Sequence, residues 1–195
     1  MSTTLLLVIL AQSGGAVTIS ANAAADQQFQ QLAARYVDEF PALSPVSATA
    51  LGDHRFDGLL NEVSEEARAK QRAFCRNYLE KLRKIDPTRL SRANQVDYAL
   101  LEHRLEESLW RLETLREWAW NPLAYTGLSG GAIYGLMARD FAPLNKRLEN
   151  VADRLEKFPR LFRQVRATLD PERVPKVHAE TAVKQNRGEI GRAHV

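Results

Sequence analysis

Apolar side chains recur every three or four positions along most of the chain, which is the spacing of one face of an α-helix. Residues 27–40 give the first example, and their apolar positions share one helical face: Phe29, Leu32, Ala33, Tyr36, Val37 and Phe40. Ser44 and Pro45 before residues 46–51, and Gly52 after them, are typical of the two ends of a second, shorter helix. Both segments are therefore predicted to be helical.

Two longer helices are predicted in the middle of the chain. Ser64 caps the first, and two glutamates follow in its first turn, where the helix dipole favours acidic residues. Its inward positions are Ala67, Phe74, Cys75, Tyr78, Leu79, Leu82 and Ile85. The second begins near Ser91 or Asn94, is expected to be the longest element, and is stopped by Pro122. Its inward positions are Tyr98, Leu101, Leu105, Leu109, Leu112 and Leu115.

The segment TGLSGGAIYGLMARD, residues 126–140, contains four glycines. A phosphate-binding loop needs a preceding strand and a Gly-Lys-Ser/Thr ending, and the sequence offers neither. We therefore predict a close-packed turn that leads into a short helix around Ile133–Arg139.

Three further helices are predicted after Pro143. The first has its inward positions at Leu144, Leu148, Val151, Leu155 and Phe158. Pro159 starts the next, with inward positions at Leu161, Phe162, Val165 and Leu169, and Pro175 opens the last, which carries Val177, His178, Thr181 and Ala182. Because no segment alternates with a period of two, the predicted fold is all-α, an antiparallel array of helices joined by short loops.

The first 25 residues resemble a secretory signal peptide, since an apolar run leads to the small residues of ANAAAD. Cleavage is expected after Ala23 or Ala25. The competing interpretation is a buried N-terminal helix, which Gly14 and Gly15 disfavour. No other run reaches the ~20 apolar residues of a membrane-spanning helix. The mature protein is therefore predicted to be exported, periplasmic or extracellular, with no membrane association after cleavage.

Charge and cysteine content narrow the function classes. The chain has 195 residues, a formal net charge of +3 and one cysteine. Basic and acidic residues alternate along every predicted helix instead of forming a basic stripe, so nucleic-acid binding is not expected. Cys75 cannot form an internal disulfide, and its place on an apolar helical face favours a buried thiol over a nucleophile.

The four histidines form no known catalytic or metal-binding pattern. They are His54, His103, His178 and His194. No His-Glu-x-x-His motif occurs, no two of them are three or four residues apart, and no Gly-x-Ser-x-Gly elbow is present. We therefore assign no catalytic residue and no metal ligand in this chain.

The segment LGDHRFDG concentrates polar chemistry between two glycines. In a functional interpretation, His54 and Arg55 project into a cleft, where Arg55 meets a carboxylate or phosphate. In a structural interpretation, Asp53 and Asp57 cap turns and pair with Arg55, while Phe56 enters the core. The sequence leaves both open.

Several longer segments resemble one bacterial family. They include ATALGDHRFDGLL, the DYALL segment at Asp97–Leu101, WNPLAY, and the R-L-x-x-x-P arrangement at Arg154–Pro159. From about Gln27 to Gly188 the chain resembles the N-terminal part of the domain-of-unknown-function 885 proteins. Members are helical, often exported, and grouped with zincin-like metallopeptidases through a His-Glu motif in their C-terminal half, which this chain does not reach. The resemblance implies an incomplete N-terminal portion (26–188) of a larger helical protein.

The functional hypothesis follows from that resemblance. It implies that the chain is a fragment of an exported zinc-dependent peptidase, that it forms part of the substrate-cleft wall and that it is inactive alone. Zinc, the peptide substrate and the missing C-terminal half are expected to belong to the full-length parent protein. The candidate substrate contacts are His54, Arg55, Asp57, His178 and Glu180. The alternative is a non-enzymatic periplasmic helical binding or scaffold module.

The tail QNRGEIGRAHV departs from the pattern before it. Residues 189–195 can be back-translated as GAGATCGGAAGAGCACACGTC, which contains the start of a common sequencing adapter. We therefore expect a truncated coding sequence with a translated adapter at residues 189–195. The alternative is a natural divergent C-terminus.

Overall fold

The computed structural model describes the backbone of residues 21–192 and the side chains of residues 22–188. Within that part the chain forms seven α-helices and no strand, which confirms the all-α prediction. The helices are α1 (Ala21–Glu39), α2 (Pro45–Leu51), α3 (Glu65–Leu82), α4 (Arg92–Trp110), α5 (Pro122–Met137), α6 (Leu144–Thr168) and α7 (Lys176–Arg192). None of these described helices is long and apolar enough to cross a membrane.

Two of the predictions made for the chain ends fall largely outside this part. Most of the proposed signal peptide, residues 1–20, is not described, and α1 begins at Ala21 and continues through both expected cleavage positions. The side chains of the proposed adapter-derived tail, residues 189–195, are also not described.

Helices α1, α3 and α4 form a unit that we call the apolar bundle. Its core residues are Phe29, Leu32, Cys75, Tyr78, Leu79, Leu82, Ile85, Leu90, Tyr98, Leu101 and Leu105. Ser64 caps α3 as predicted, because its hydroxyl accepts a hydrogen bond from the Ala67 N–H at 3.2 Å. Most positions predicted to face inward do so. Val37 is an exception, because it lies on the solvent side of α1.

The end of α4 differs from the prediction. After Trp110 the helix widens into one π-helical turn, Arg111–Leu115, and Arg116 then adopts a left-handed conformation with φ of 53°. That residue breaks the helix six positions before Pro122. Pro122 is instead the first residue of α5, a position where its missing N–H costs nothing.

The glycine-rich segment was predicted to be a turn that leads into a short helix at residues 133–139, and residues 126–137 all belong to helix α5. Ideal Cβ atoms built on Gly131 and Gly135 would lie 3.7 Å from Val46 Cγ1 and Thr49 Cγ2. The predicted close packing is present, but it joins two helices. Small residues on one face of α5 let α2 approach it, and the hydrogen bonds of the helix satisfy the backbone throughout.

Helix α6 was predicted as two helices divided at Pro159, and it is one helix of 25 residues with Pro159 inside it. It is also longer than α4, which was expected to be the longest element. A proline within a helix removes one N–H donor and crowds one carbonyl, a local cost. Buried contacts of Arg154 and Leu161 on either side of Pro159 hold the helix together across it.

The inward face of α6 is also different from the predicted one. The buried residues are Arg147, Asn150, Arg154 and Leu161. Four residues predicted to be inward form an exposed line that we call the leucine stripe: Leu144, Leu148, Leu155 and Phe162, with exposed fractions of 53%, 47%, 49% and 45%. The stripe extends roughly 27 Å along α6. In the described chain, the inward side of α6 is therefore polar at Arg147 and Arg154, whereas Leu161, which was predicted to face inward, is buried in the apolar core.

We call α2, α5 and α6, with the segment between α2 and α3, the arginine-centred unit. Its apolar core is small, consisting of Val46, Leu60, Ala132 and Leu161. Helix α6 runs antiparallel to α5, because Arg154 contacts Ala132 while Arg147 contacts residues 136–139. Helix α7 lies beside the first half of α5, where the Thr126 hydroxyl donates to Gln185 Oε1 at 2.7 Å.

Candidate functional site

The His54 segment is a short 3-10 turn that follows directly after α2. Gly52 ends α2 in a left-handed conformation with φ of 90°, which reverses the chain and confirms its predicted role as a helix end. The Asp53 carboxylate then accepts a hydrogen bond from the Arg55 N–H at 3.1 Å. These two local features fix the direction in which residues 54–57 leave the helix.

Arg55 is bound to acidic groups of its own chain. Its guanidinium donates to both Asp53 carboxylate oxygens, at distances of 2.8–3.2 Å, and to the side chain and carbonyl of Asp38. These hydrogen bonds raise the pKa of Arg55, and the bond from Arg55 lowers the pKa of Asp53. The arrangement matches the structural interpretation for Asp53 and Arg55, with the Phe56 ring half-buried under the guanidinium.

Asp57 does not pair with Arg55 but lies buried at the centre of a polar network. The Thr49 hydroxyl donates to Asp57 Oδ1 at 2.6 Å, and His54 Nδ1 lies 2.9 Å from Asp57 Oδ2. Because a carboxylate oxygen only accepts, the proton between them is assigned to His54 Nδ1. The His54 ring also stacks on Phe141, with centroids 3.7 Å apart. His54 is thereby held on two sides, and its Nε2 has no hydrogen-bond partner among the described residues.

Arg154 completes this network from the opposite side. Its side chain is fully buried and donates to Thr49 Oγ1 at 2.7 Å, to the Ala132 carbonyl at 2.7 Å and to the Leu59 carbonyl at 3.0 Å. Burial lowers the pKa of Arg154, and the charge of Asp57 opposes that shift. An arginine in α6 is thus connected through Thr49 to Asp57 and His54, which joins three elements of the arginine-centred unit.

Two more arginines close the same end of the unit. Arg147 is buried and donates to the Ala142 carbonyl, to carbonyls at the end of α5 and to the Asp140 side chain. Arg139 donates to the carbonyls of Thr49 and Ala50 at the end of α2. Cations at helix C-termini satisfy carbonyls that lack partners within the helix and interact favourably with the helix dipole. The site around His54 is therefore rigidly anchored to backbone.

His178 and Glu180 lie elsewhere. The His178 ring stacks on Trp120 just before α5, with centroids 5.7 Å apart, and its buried Nδ1 has no partner among the described residues. Glu180 is exposed and lies 3.8 Å from Lys176. The His54 turn packs near the other end of α5, roughly 20 Å away at 1.5 Å per residue. The described chain therefore brings together His54, Arg55 and Asp57, and separates them from His178 and Glu180.

Zinc, which the family resemblance implies, has no matching ligand set in the described residues. No three His, Cys, Asp or Glu side chains of that part lie close enough together to hold a metal ion. Asp57 already accepts from Thr49 and His54, and Asp53 from Arg55, so these carboxylates have partners of their own. No catalytic step through zinc is derived for these residues.

Thr49 and Arg154 were missed by sequence reasoning. Their signal was a second periodic line on α6, in which Arg147, Asn150 and Arg154 repeat with the same spacing as the leucines beside them. Periodic apolar residues on a helix are normally assigned to the core, so the leucines of α6 were predicted to face inward and its polar residues to face solvent. Thr49 carried no signal beyond its place on one face of a short helix.

Comparisons with known proteins give a family and one similar solved structure. A family model described as "Bacterial protein of unknown function (DUF885)" matches residues 45–194. No curated protein matches the chain. A solved structure titled "a putative lipoprotein of unknown function from Shewanella oneidensis" matches with a TM-score of 0.77 and 30% sequence identity. The match covers 83% of this chain and 29% of that one, so the chain spans less than a third of that protein's length.

Proposed function

The chain belongs to the bacterial family of unknown function DUF885, and we propose that it is the N-terminal helical part of an exported zinc-dependent peptidase. In this proposal the remaining part of the protein supplies the zinc ligands and packs against α6. The present chain contributes one wall of the substrate cleft and does not hydrolyse peptides alone.

The observation that carries the proposal of a larger protein is the leucine stripe. Soluble monomers rarely expose large contiguous apolar patches, and such patches mark surfaces that another body covers. Here the stripe lies about 100° around α6 from the side that Arg147 and Arg154 fix inward, so α6 cannot rotate to bury its leucines without exposing these arginines. The chain also spans less than a third of the structure it matches, which leaves ample chain in a relative of that length to cover the stripe.

The peptidase activity is proposed from the family resemblance. The geometry around His54 favours a role for this histidine in orienting the substrate. Its Nδ1 is bonded to Asp57 and its ring is stacked on Phe141, so Nε2 is presented in a fixed direction. A histidine held in this way can orient a substrate group by hydrogen bonding. Export is proposed from the predicted signal peptide, and the lipoprotein title of the similar structure is compatible with it.

The covering of the leucine stripe can be tested with a matched pair of double variants. Leu148→Gln with Leu155→Gln removes half of the stripe, and Val96→Gln with Leu100→Gln removes exposed apolar residues from α4. In the 195-residue chain, neither pair is expected to change the free energy of unfolding by more than about 1 kcal/mol. In the longer protein, only the α6 pair is expected to lower the melting temperature. If both pairs lower the melting temperature of the longer protein equally, the proposal that the leucine stripe is covered is contradicted.

The peptidase part needs a separate measurement. The longer protein is expected to hydrolyse a fluorogenic peptide library, to lose that activity when zinc is chelated and to regain it when zinc is restored. The 195-residue chain is expected to be inactive in the same assay. Activity of the short chain, or a longer protein that never hydrolyses peptides with zinc bound, contradicts the proposal.

The leucine stripe also fits the alternative, a non-enzymatic helical module that binds a separate partner. The difference lies in what covers the stripe and in whether hydrolysis occurs. If the longer protein binds another protein through α6 and shows no peptidase activity, the scaffold hypothesis replaces the enzyme hypothesis.

A further inference from the structure

A cavity of about 240 Å³ lies between α3 and α6, where the segment after α2 passes between them. Its lining includes the apolar residues Leu43, Pro45 and Leu59. It also includes the cationic residues Lys70, Lys157 and Arg160. The cavity therefore combines apolar lining residues with a concentration of positive charge, and neither His54 nor Asp57 lines it.

The positive charge of the cavity is only partly neutralised. Arg160 donates to Glu62 Oε1 at 2.8 Å and to the Leu60 carbonyl at 3.2 Å. Lys157 donates to the Asp153 carbonyl at 2.7 Å, and Lys70 makes no hydrogen bond or ion pair within the described residues. Glu62 is the one acidic side chain among the lining residues. Three cations thus face one carboxylate, which leaves an excess of two positive charges.

We propose that this cavity binds a small carboxylate that carries a short apolar tail. A carboxylate suits the mixed donors, because the arginine fork and the lysine ammonium groups all donate to carboxylate oxygens. The apolar lining residues favour a ligand with a hydrocarbon part over a fully hydrated inorganic ion. The volume is below the ~300–1,000 Å³ of sites for drug-sized ligands, which limits the tail to a few carbon atoms.

Two sources share this chemistry, a free short-chain fatty acid and the C-terminal residue of a peptide. The binding itself requires neither zinc nor hydrolysis, so it stands apart from the proposed peptidase function. Failure of the peptidase proposal leaves the cavity intact, and failure of ligand binding leaves the peptidase proposal intact.

The test is isothermal titration of the 195-residue chain with hexanoate, hexanol, inorganic phosphate, N-acetyl-leucine and N-acetyl-leucinamide. We expect hexanoate or N-acetyl-leucine to bind. Their uncharged counterparts, hexanol and N-acetyl-leucinamide, are expected to bind at least tenfold more weakly, which corresponds to ~1.4 kcal/mol of binding free energy. The tighter of the two carboxylates identifies the source. Phosphate binding as tight as the carboxylates, or no carboxylate binding at about 10 mM, overturns the proposal.

A double variant localises the binding to the cavity. Lys70→Gln with Lys157→Gln is expected to weaken carboxylate binding at least tenfold, whereas the exposed Lys184→Gln leaves it unchanged. Lys70 is exposed and Lys157 is half-buried, so neither side chain is part of the core. The double variant is therefore expected to keep the helical content of the parent, and circular dichroism checks this. Unchanged affinity in a folded double variant contradicts the proposed site.

Discussion

The apolar bundle and the arginine-centred unit build their interiors from different kinds of side chain. In the bundle, α3 and α4 bury leucines and tyrosines and expose charged side chains such as those of Arg83 and Glu106. In the arginine-centred unit, α6 buries Arg147 and Arg154 and exposes the leucine stripe. In the arginine-centred unit, most buried polar groups are paired by arginine side chains that donate to backbone carbonyls, whereas Arg160 Nε has no partner among the described residues.

The difference shows what decides the orientation of a helix. Each buried arginine of α6 finds several carbonyl partners: Arg154 bonds to Leu59 and Ala132, and Arg147 bonds to Ala142 and Arg139. A buried charge is costly unless it is fully hydrogen-bonded, and here carbonyls of α5, of the turn after α5 and of the segment after α2 provide the acceptors. The supply of acceptors from neighbouring elements therefore sets the inward face of α6, and the apolar face is left for another surface.

The largest effect is expected from Arg154→Met, which tests whether the arginine-centred unit depends on its buried cation. The methionine fills a similar length but removes the donors to the Leu59 carbonyl and to Thr49 Oγ1, together with the positive charge near Asp57. We expect the free energy of unfolding to fall by about 4 kcal/mol, measured by urea denaturation. The control Arg163→Met changes an exposed arginine of the same helix and is expected to cost less than about 0.5 kcal/mol.

Coupling with Asp57 sharpens the same test. Asp57→Asn in the Arg154→Met background is expected to cost at least about 1 kcal/mol less than the sum of the two single variants. Each single change leaves the other charge buried without the opposite charge to which Thr49 connects it. Additive costs, or an Arg154→Met variant as stable as the parent, would show that this unit is held by its apolar contacts.

A smaller loss is expected from Leu82→Ala in the apolar bundle. Leu82 is fully buried in the core of the bundle, so the substitution leaves a cavity and removes transfer free energy. We expect a loss of about 3 kcal/mol in the same urea experiment. Leu100→Ala, on the exposed side of α4, is the matched control and is expected to stay within about 0.5 kcal/mol of the parent. A similar loss in both variants contradicts the assigned core.

The smallest effects are expected at two glycines of the arginine-centred unit. Gly52→Ala places a side chain at φ of 90° and is expected to destabilise the chain by about 1 kcal/mol. Gly127→Ala lies within α5, with open space around the new methyl group, and is expected to stabilise it by about 0.5 to 1 kcal/mol. Thermal melts of both variants against the parent measure the two signs. A stabilising Gly52→Ala, or a destabilising Gly127→Ala, contradicts the backbone assigned at that position.

Part of the site was accessible from sequence, and part was not. The short spacing within LGDHRFDG correctly grouped His54, Arg55 and Asp57, because a few residues of one turn remain neighbours in any fold. The grouping of His178 and Glu180 with them had no such basis, and the structure separates them along α5. Thr49 and Arg154 meet only through contacts between elements about a hundred positions apart in the chain, which periodicity does not encode.

The sequence by itself determined the helical class, the capping of α3 by Ser64, the end of α2 at Gly52 and the inward face of the apolar bundle. These features depend on local backbone preferences and on the spacing of apolar residues, which act within a few turns of one helix. Only the tertiary structure decided that α6 continues through Pro159, buries its arginines and presents its leucines. That outcome depends on where the carbonyl acceptors of α5 and of the segment after α2 come to lie, and those positions exist only after the helices have packed.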